Sequence, residues 1–193
     1  MAIWERDADR CRESAEAIGA LGIVADVRDA EQVDAALART AGELGPVRIL
    51  VNNAGGVFSS PLLETTENGW DALYKSNLRH VLLCTQRVAR RLVADELPGS
   101  IINLTSIEGV RAAPGYAAYA AAKAGVVNYT QTASFELAPH NIRVNAIAAR
   151  SDPHRGSAGS VGGRAAARHR GRHSAGAGRA RRRNSRNGSL SGF

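Results

Sequence analysis

The chain has 193 residues, 44% of them hydrophobic, two cysteines and a formal net charge of +7. That is enough for one domain with a sizeable core, while Cys11 and Cys84, far apart and with no histidine cluster beside them, exclude a disulfide framework and a zinc ligand set. The charge is segregated: from Arg150 onward there are 11 arginines and one acid, a net of +10, against 14 basic and 17 acidic residues before it, a net of −3.

The opening Met-Ala-Ile-Trp-Glu-Arg-Asp places acids where a signal peptide needs an apolar run, and no stretch reaches transmembrane length. With two free thiols this predicts a cytoplasmic protein with no membrane partner. Ala2, Ile3 and Trp4 read as a strand ending at Glu5, followed by a short helix over residues 8–20. Residues 22–27 form the next strand, and Asp29 caps a helix that runs through Val33, Leu37 and Leu44 to its stop at Gly45-Pro46. Residues 47–51 read as a buried parallel strand running into Asn52-Asn53-Ala54-Gly55. A loop over residues 57–66 then leads into a long helix carrying Trp70, Leu73, Leu78, Leu82 and Val88, with Trp70 expected in the core and His80 packed or partly exposed. Strands alternating with helices in this way define βα units and a parallel sheet.

Ile101, Ile102 and Leu104 make a short strand that ends at Thr105-Ser106, and an alanine-rich helix follows the break at Pro114-Gly115. Tyr119 and Lys123 lie four residues apart on that helix, about one turn, so phenol and ammonium project from one face. A phenol, with an ordinary pKa of about 10, exchanges protons poorly at neutral pH unless a nearby cation favours its ionised form. Lys123 is placed to supply that cation, and a hydroxyl at Ser106 can hydrogen-bond a carbonyl or alcohol oxygen while Tyr119 passes the proton. Residues 142–147 form the last strand.

Asn52-Asn53-Ala54-Gly55, then Asn77, Ser106, Tyr119 with Lys123, and Asn141-Ile-Arg-Val-Asn-Ala146, in that order, closely resemble the short-chain dehydrogenase/reductase family. The likeness spans residues 1–148 and is strongest to members similar to bacterial 3-oxoacyl-carrier-protein reductases. It implies an α/β fold, a Rossmann-type doubly wound parallel sheet, and NAD- or NADP-dependent interconversion of a small-molecule alcohol and ketone by hydride transfer. The resemblance makes Asn77, Ser106, Tyr119 and Lys123 the catalytic tetrad. It places Glu5, Asp26, Val27, Asn53, Ala54, Gly55, Tyr119 and Lys123 on the coenzyme, with no metal. Glu5 at a strand end favours NAD over NADP by repelling a 2'-phosphate, although it also reads as an exposed strand cap, Arg6 beside it attracts phosphate, and Asp26 reads equally as a turn residue. Relatives of this kind pair into homo-oligomers through the two long helices.

Two departures from the family pattern qualify the expectation. The family's first strand and its glycine-rich pyrophosphate turn are missing from the sequence, so the sheet is expected in an incomplete form, lacking its first and seventh strands, with unpaired strand edges. After Ala148, residues 149–193 carry only Val161, Leu190 and Phe193 as large apolar residues; this low-complexity arginine-rich tail is expected to be disordered and reads as the product of a shifted frame. The chain is therefore expected to be a fragment of low or no activity. A non-enzymatic fragment associating with an intact homologue is the alternative, and salt-dependent nucleic-acid binding by the tail is the weakest of the three readings.

Overall fold

The computed structural model describes residues 1–149. Strand β1 (Ala2–Glu5) crosses over through helix α1 (Ala8–Ile18) to strand β2 (Leu21–Val24), with which it pairs in parallel. Asp7 accepts a hydrogen bond from the Arg10 amide at the start of α1, and Gly19, at φ +63°, ends it with two backbone bonds to Ala15 and Glu16. Helix α2 (Ala30–Leu44) is capped by Asp29, as its sequence predicts, and stops at Gly45.

Strand β3 (Ile49–Asn52) leads into helix α3 (Glu67–Tyr74), a single π-helical turn (Lys75–Arg79) and helix α4 (His80–Ala94). Strand β4 (Gly99–Ser106), helix α5 (Ala117–Leu137) and strand β5 (Ile142–Ala149) complete the described chain. Ala149 thus closes a strand instead of opening the tail; the rest of the expected tail lies outside the described residues.

The sheet is in two pieces, β1-β2 and β3-β4-β5, all parallel. Among the described residues β1 pairs only with β2, and β3 only with β4 on one edge, which matches the expectation of an incomplete doubly wound sheet. Both pieces are tied to the same helices: the Trp4 indole donates to Thr40 of α2 at 2.9 Å, and Arg87 of α4 donates to both carboxylate oxygens of Asp34.

In the larger piece, Leu50, Ile101 and Val144 occupy one row and face α2, α4 and α5 through Val33, Leu37, Cys84, Val88, Leu92 and Ala133. The opposite face is different. Ile49 and Val51, read from sequence as parts of a fully buried strand, are 67% and 52% exposed. The helices of this piece cover one face only, so a continuous apolar run comes out half buried and half open. Strand limits also shift, to Leu21–Val24 and Ile49–Asn52, leaving Asp26 and Val27 beyond the end of β2.

Behind the carboxyl ends of the strands, the apolar core gives way to a ladder of buried amides. Asn52 donates to Asn103 at 2.8 Å and to Thr85 at 3.1 Å, and Asn103 donates to Thr130 at 2.9 Å. Every member of that chain has a partner, which is what makes polar groups tolerable at this depth.

Candidate active site

The carboxyl ends of β3 and β4 bring the expected residues together from three segments. Ser106 closes β4, is buried, and its hydroxyl oxygen accepts a hydrogen bond from the Glu108 amide at 3.2 Å. Because that oxygen is held as an acceptor, its own proton is free to be donated elsewhere. Tyr119, half-buried, and Lys123 stand on consecutive turns of α5, with the ammonium 5.8 Å from the phenol ring centroid. That distance is within the range of a cation–π contact.

Lys123 is 6% exposed, and its ammonium donates to the Leu104 carbonyl at 2.9 Å. Burial lowers its pKa from the ordinary lysine value, because the charged form loses water. The helix carrying it is locked to β4 a second time: Thr105 donates to the Lys123 carbonyl at 2.8 Å. The turn after β4 presses onto the same point, since a Cβ at Gly109 would come within 2.8 Å of the Lys123 carbonyl carbon. Register between strand and helix is therefore set by backbone contact.

Asn77 is fully buried inside the π-helical turn, and its amide clamps the loop that follows β3. Its Oδ1 accepts from the Gly56 amide at 3.3 Å while its Nδ2 donates to the Gly56 carbonyl at 2.8 Å. A Cβ at Gly55 would stand 2.9 Å from Asn77 Oδ1, so a larger residue there would press on the amide that clamps Gly56. Asn53, Ala54 and Gly55 are themselves exposed.

The residues expected at the other end of a dinucleotide are held differently. Glu5 accepts from the Asp7 amide at 3.1 Å. Both carboxylate oxygens of Asp26 are taken by the Arg28 side chain, and this guanidinium lowers the Asp26 pKa to about 2. Trp70 is 44% exposed, not in the core as expected; helix α3 turns that face outward. His80 is buried.

Sequence reasoning missed the Leu104 carbonyl, the Asn77 clamp and the amide ladder. The ladder left one signal: Asn52 and Asn103 each interrupt the apolar end of a strand, and the register places them opposite each other.

A parallel α/β domain with a buried lysine, a tyrosine one turn away and a serine at a strand end is the arrangement that the family resemblance of the sequence implies. The chain belongs to the short-chain dehydrogenase family, whose model matches residues 1–150. It is 40% identical over 129 residues to a 3-oxoacyl-(acyl-carrier-protein) reductase of Synechocystis, covering 67% of this chain and 52% of that one. To carbonyl reductase (NADPH) 2 of Sus scrofa it is 36% identical over 147 residues, 76% and 59% of the two chains. A short chain dehydrogenase from Mycobacterium smegmatis superposes with a TM-score of 0.75 at 30% identity, covering 77% and 65%. The chain thus spans between half and three fifths of the length of these two curated relatives.

The residues present fit part of a nicotinamide dinucleotide. The buried Lys123 ammonium, with protons left after its bond to the Leu104 carbonyl, fits hydroxyl acceptors such as those of a ribose. The described residues contain no glycine-rich turn at a helix N-terminus to receive a pyrophosphate, and α1 begins instead behind Arg6 and the carboxylate of Asp7.

Proposed function

We propose that this domain interconverts a small-molecule alcohol and ketone, with Tyr119 as proton donor and acceptor, Ser106 holding the substrate oxygen, and Lys123 and the Asn77-clamped loop on the coenzyme ribose side. The observation that carries this reading is the buried Lys123 ammonium, fixed on the Leu104 carbonyl at 2.9 Å with the Tyr119 ring 5.8 Å away. A bound nicotinamide coenzyme supplies the hydride.

In the reducing direction the Ser106 hydroxyl donates a hydrogen bond to the carbonyl oxygen while keeping its own proton, which fixes the substrate and polarises it. Tyr119 then gives its phenolic proton to that oxygen as negative charge develops there. Lys123 stabilises the charge left on the phenol, an effect strengthened by the low dielectric around a 6%-exposed ammonium. Asn77 acts one step back, by holding the Gly55-Gly56 backbone where it does not block the ribose side of the site. Glu5 favours NAD over NADP.

The test is reduction of a panel of ketones by the whole chain at millimolar NADH or NADPH, beside Y119F. Slow, coenzyme-dependent turnover that falls at least about 100-fold in Y119F is expected. Turnover indifferent to Y119F, or none at any coenzyme concentration, overturns the reading.

A second reading rests on Phe135 of α5 and Leu82 of α4, which are 82% and 43% exposed. Exposed apolar side chains on both long helices suit association with a homologous chain, with no chemistry of its own. Co-purification with an intact homologue, abolished by F135E, supports that reading; a monomer at every concentration refutes it.

A further inference from the structure

Two loops stand at the carboxyl ends of strands that share no pairing: residues 26–28 after β2 and residues 53–56 after β3. The first takes its shape from within. The Asp26 amide donates to Gln32 Oε1 at 2.8 Å, the Arg28 amide donates to Asp26 Oδ1 at 2.9 Å, and the Asp29 amide donates to the Asp26 carbonyl at 3.0 Å. These local bonds fold the loop and seat it on α2, but none of them fixes its distance from the loop after β3.

A bond from farther away does. Arg79, half-buried at the end of the π-helical turn, donates from Nη1 to the Arg28 carbonyl at 2.6 Å, across 51 residues of chain. Among the described residues it is the one side-chain hydrogen bond that reaches this loop from outside residues 26–32. Two positions earlier on the same turn, the fully buried Asn77 donates to the Gly56 carbonyl at 2.8 Å and accepts from the Gly56 amide at 3.3 Å. Residues two apart on a helical turn point to roughly opposite sides. A single turn therefore grips a loop on either side and sets the span between them, and on the Arg28 side the tie has the added strength of a charged donor.

We propose that Arg79 is a positioning residue for the coenzyme: through the Arg28 carbonyl it holds the loop expected at the adenosine end at a fixed distance from the Asn77-clamped loop on the nicotinamide ribose side. A two-ended ligand that touches both loops binds more tightly when their separation is set beforehand, because ordering a loop on binding costs affinity. The effect of Arg79 falls on affinity for the adenosine end, not on proton transfer at Tyr119. The significance rests on the coenzyme reading proposed for the site; the brace between the two loops does not.

The experiment uses the full chain, isotope-labelled, with R79M and R79K, and adenosine as the probe. Adenosine is neutral, so loss of the guanidinium charge does not of itself weaken its binding. Amide shifts of residues 26–28 report binding, the Arg28 carbonyl-carbon shift reports the bond from Arg79, and the Gly56 amide reports the Asn77 clamp. In the unmodified chain adenosine is expected to move the resonances of residues 26–28. In R79M the Arg28 carbonyl carbon moves upfield and adenosine affinity falls about tenfold, as for a released loop that keeps the competent position about a tenth of the time. The Gly56 amide stays where it was, which a general loosening of the turn would not allow. R79K, which can still donate to the carbonyl, recovers part of both losses. No shift at residues 26–28 on adding adenosine, an affinity unchanged in R79M, or a Gly56 amide that moves with it overturns the proposal. If R79M does not fold, R79K decides: a change in carbonyl shift or in affinity without the other overturns it. None of these readouts needs turnover. Adenosine binding that depends on Arg79 in a chain that reduces no ketone refutes the function and keeps the brace, and Y119F-sensitive turnover with adenosine binding indifferent to Arg79 does the reverse.

Discussion

The two pieces of the sheet hold their functional side chains in opposite ways. In β3-β4-β5 all but the Ser106–Glu108 contact depend on bonds that reach across the chain: Lys123 to Leu104 over 19 residues, Asn77 to Gly56 over 21, Thr105 to Lys123 over 18. In β1-β2 they are local, Glu5 to Asp7 and Asp26 to Arg28, each over two residues. A local bond forms wherever the turn forms, whereas a long-range one exists only once strands and helices have docked. The chemistry at the ends of β3 and β4 is thus a product of tertiary structure. The acids beside β1 and β2 are set by their own neighbours in sequence.

The sharpest way to break this contrast is to cut the ladder beneath the long-range site. Asn103 is fully buried and bonded to both Asn52 and Thr130. N103A leaves one Asn52 donor unpaired and opens a cavity, and the expected loss is about 3 kcal/mol in urea unfolding. N53A, at an exposed position one residue past β3, is expected within about 0.5 kcal/mol of the parent. Equal effects from the two would show that the ladder does not support the site.

A smaller loss is expected where the turn after β4 meets α5. The Cβ of G109A would lie 2.8 Å from the Lys123 carbonyl carbon and 2.9 Å from the Ala124 nitrogen, and backbone cannot swing aside as a side chain does. The turn must lift, at about 2 kcal/mol. Gly42, inside α2, has nothing within 4 Å of its added Cβ, so G42A is expected to gain about 0.5–1 kcal/mol from helix propensity. Opposite signs for the same chemical change test whether contact, and not glycine content, decides.

These contrasts also explain what could be read in advance. Asp29 and Gly45 mark α2 because caps are local chemistry, and the spacing of Tyr119 and Lys123 is legible because helix period alone puts them on one face. The Leu104 carbonyl that receives Lys123 carries no side-chain signature, so no reading of residue types could find it. The π-helical turn that buries Asn77 lies in an unbroken helical pattern, without glycine or proline to announce it. Trp70 and Val51 were misplaced for a related reason: hydrophobicity records a preference for burial, while exposure depends on which helices reach that face.

Among the bonded side chains and tight contacts, the smallest loss is expected in the local half, at Asp26. The Arg28 guanidinium lowers its pKa from 3.8 to about 2 in the folded chain. The unfolded state therefore binds the proton more readily, and the pair stabilises the fold above about pH 4 and loses that contribution as pH falls toward 2. Asp26 and Arg28 are 24% and 39% exposed, so solvent screening leaves about 1 kcal/mol at neutral pH. D26N is expected to unfold that much more easily at pH 7, with the gap to the parent closing on acidification through this window and shrinking in high salt. The deficit of N103A, which contains no titrating group, should stay constant over the same range. A D26N deficit that ignores both pH and salt would place Asp26 among the residues held by shape, and the distinction between the two halves would fail at its clearest pair.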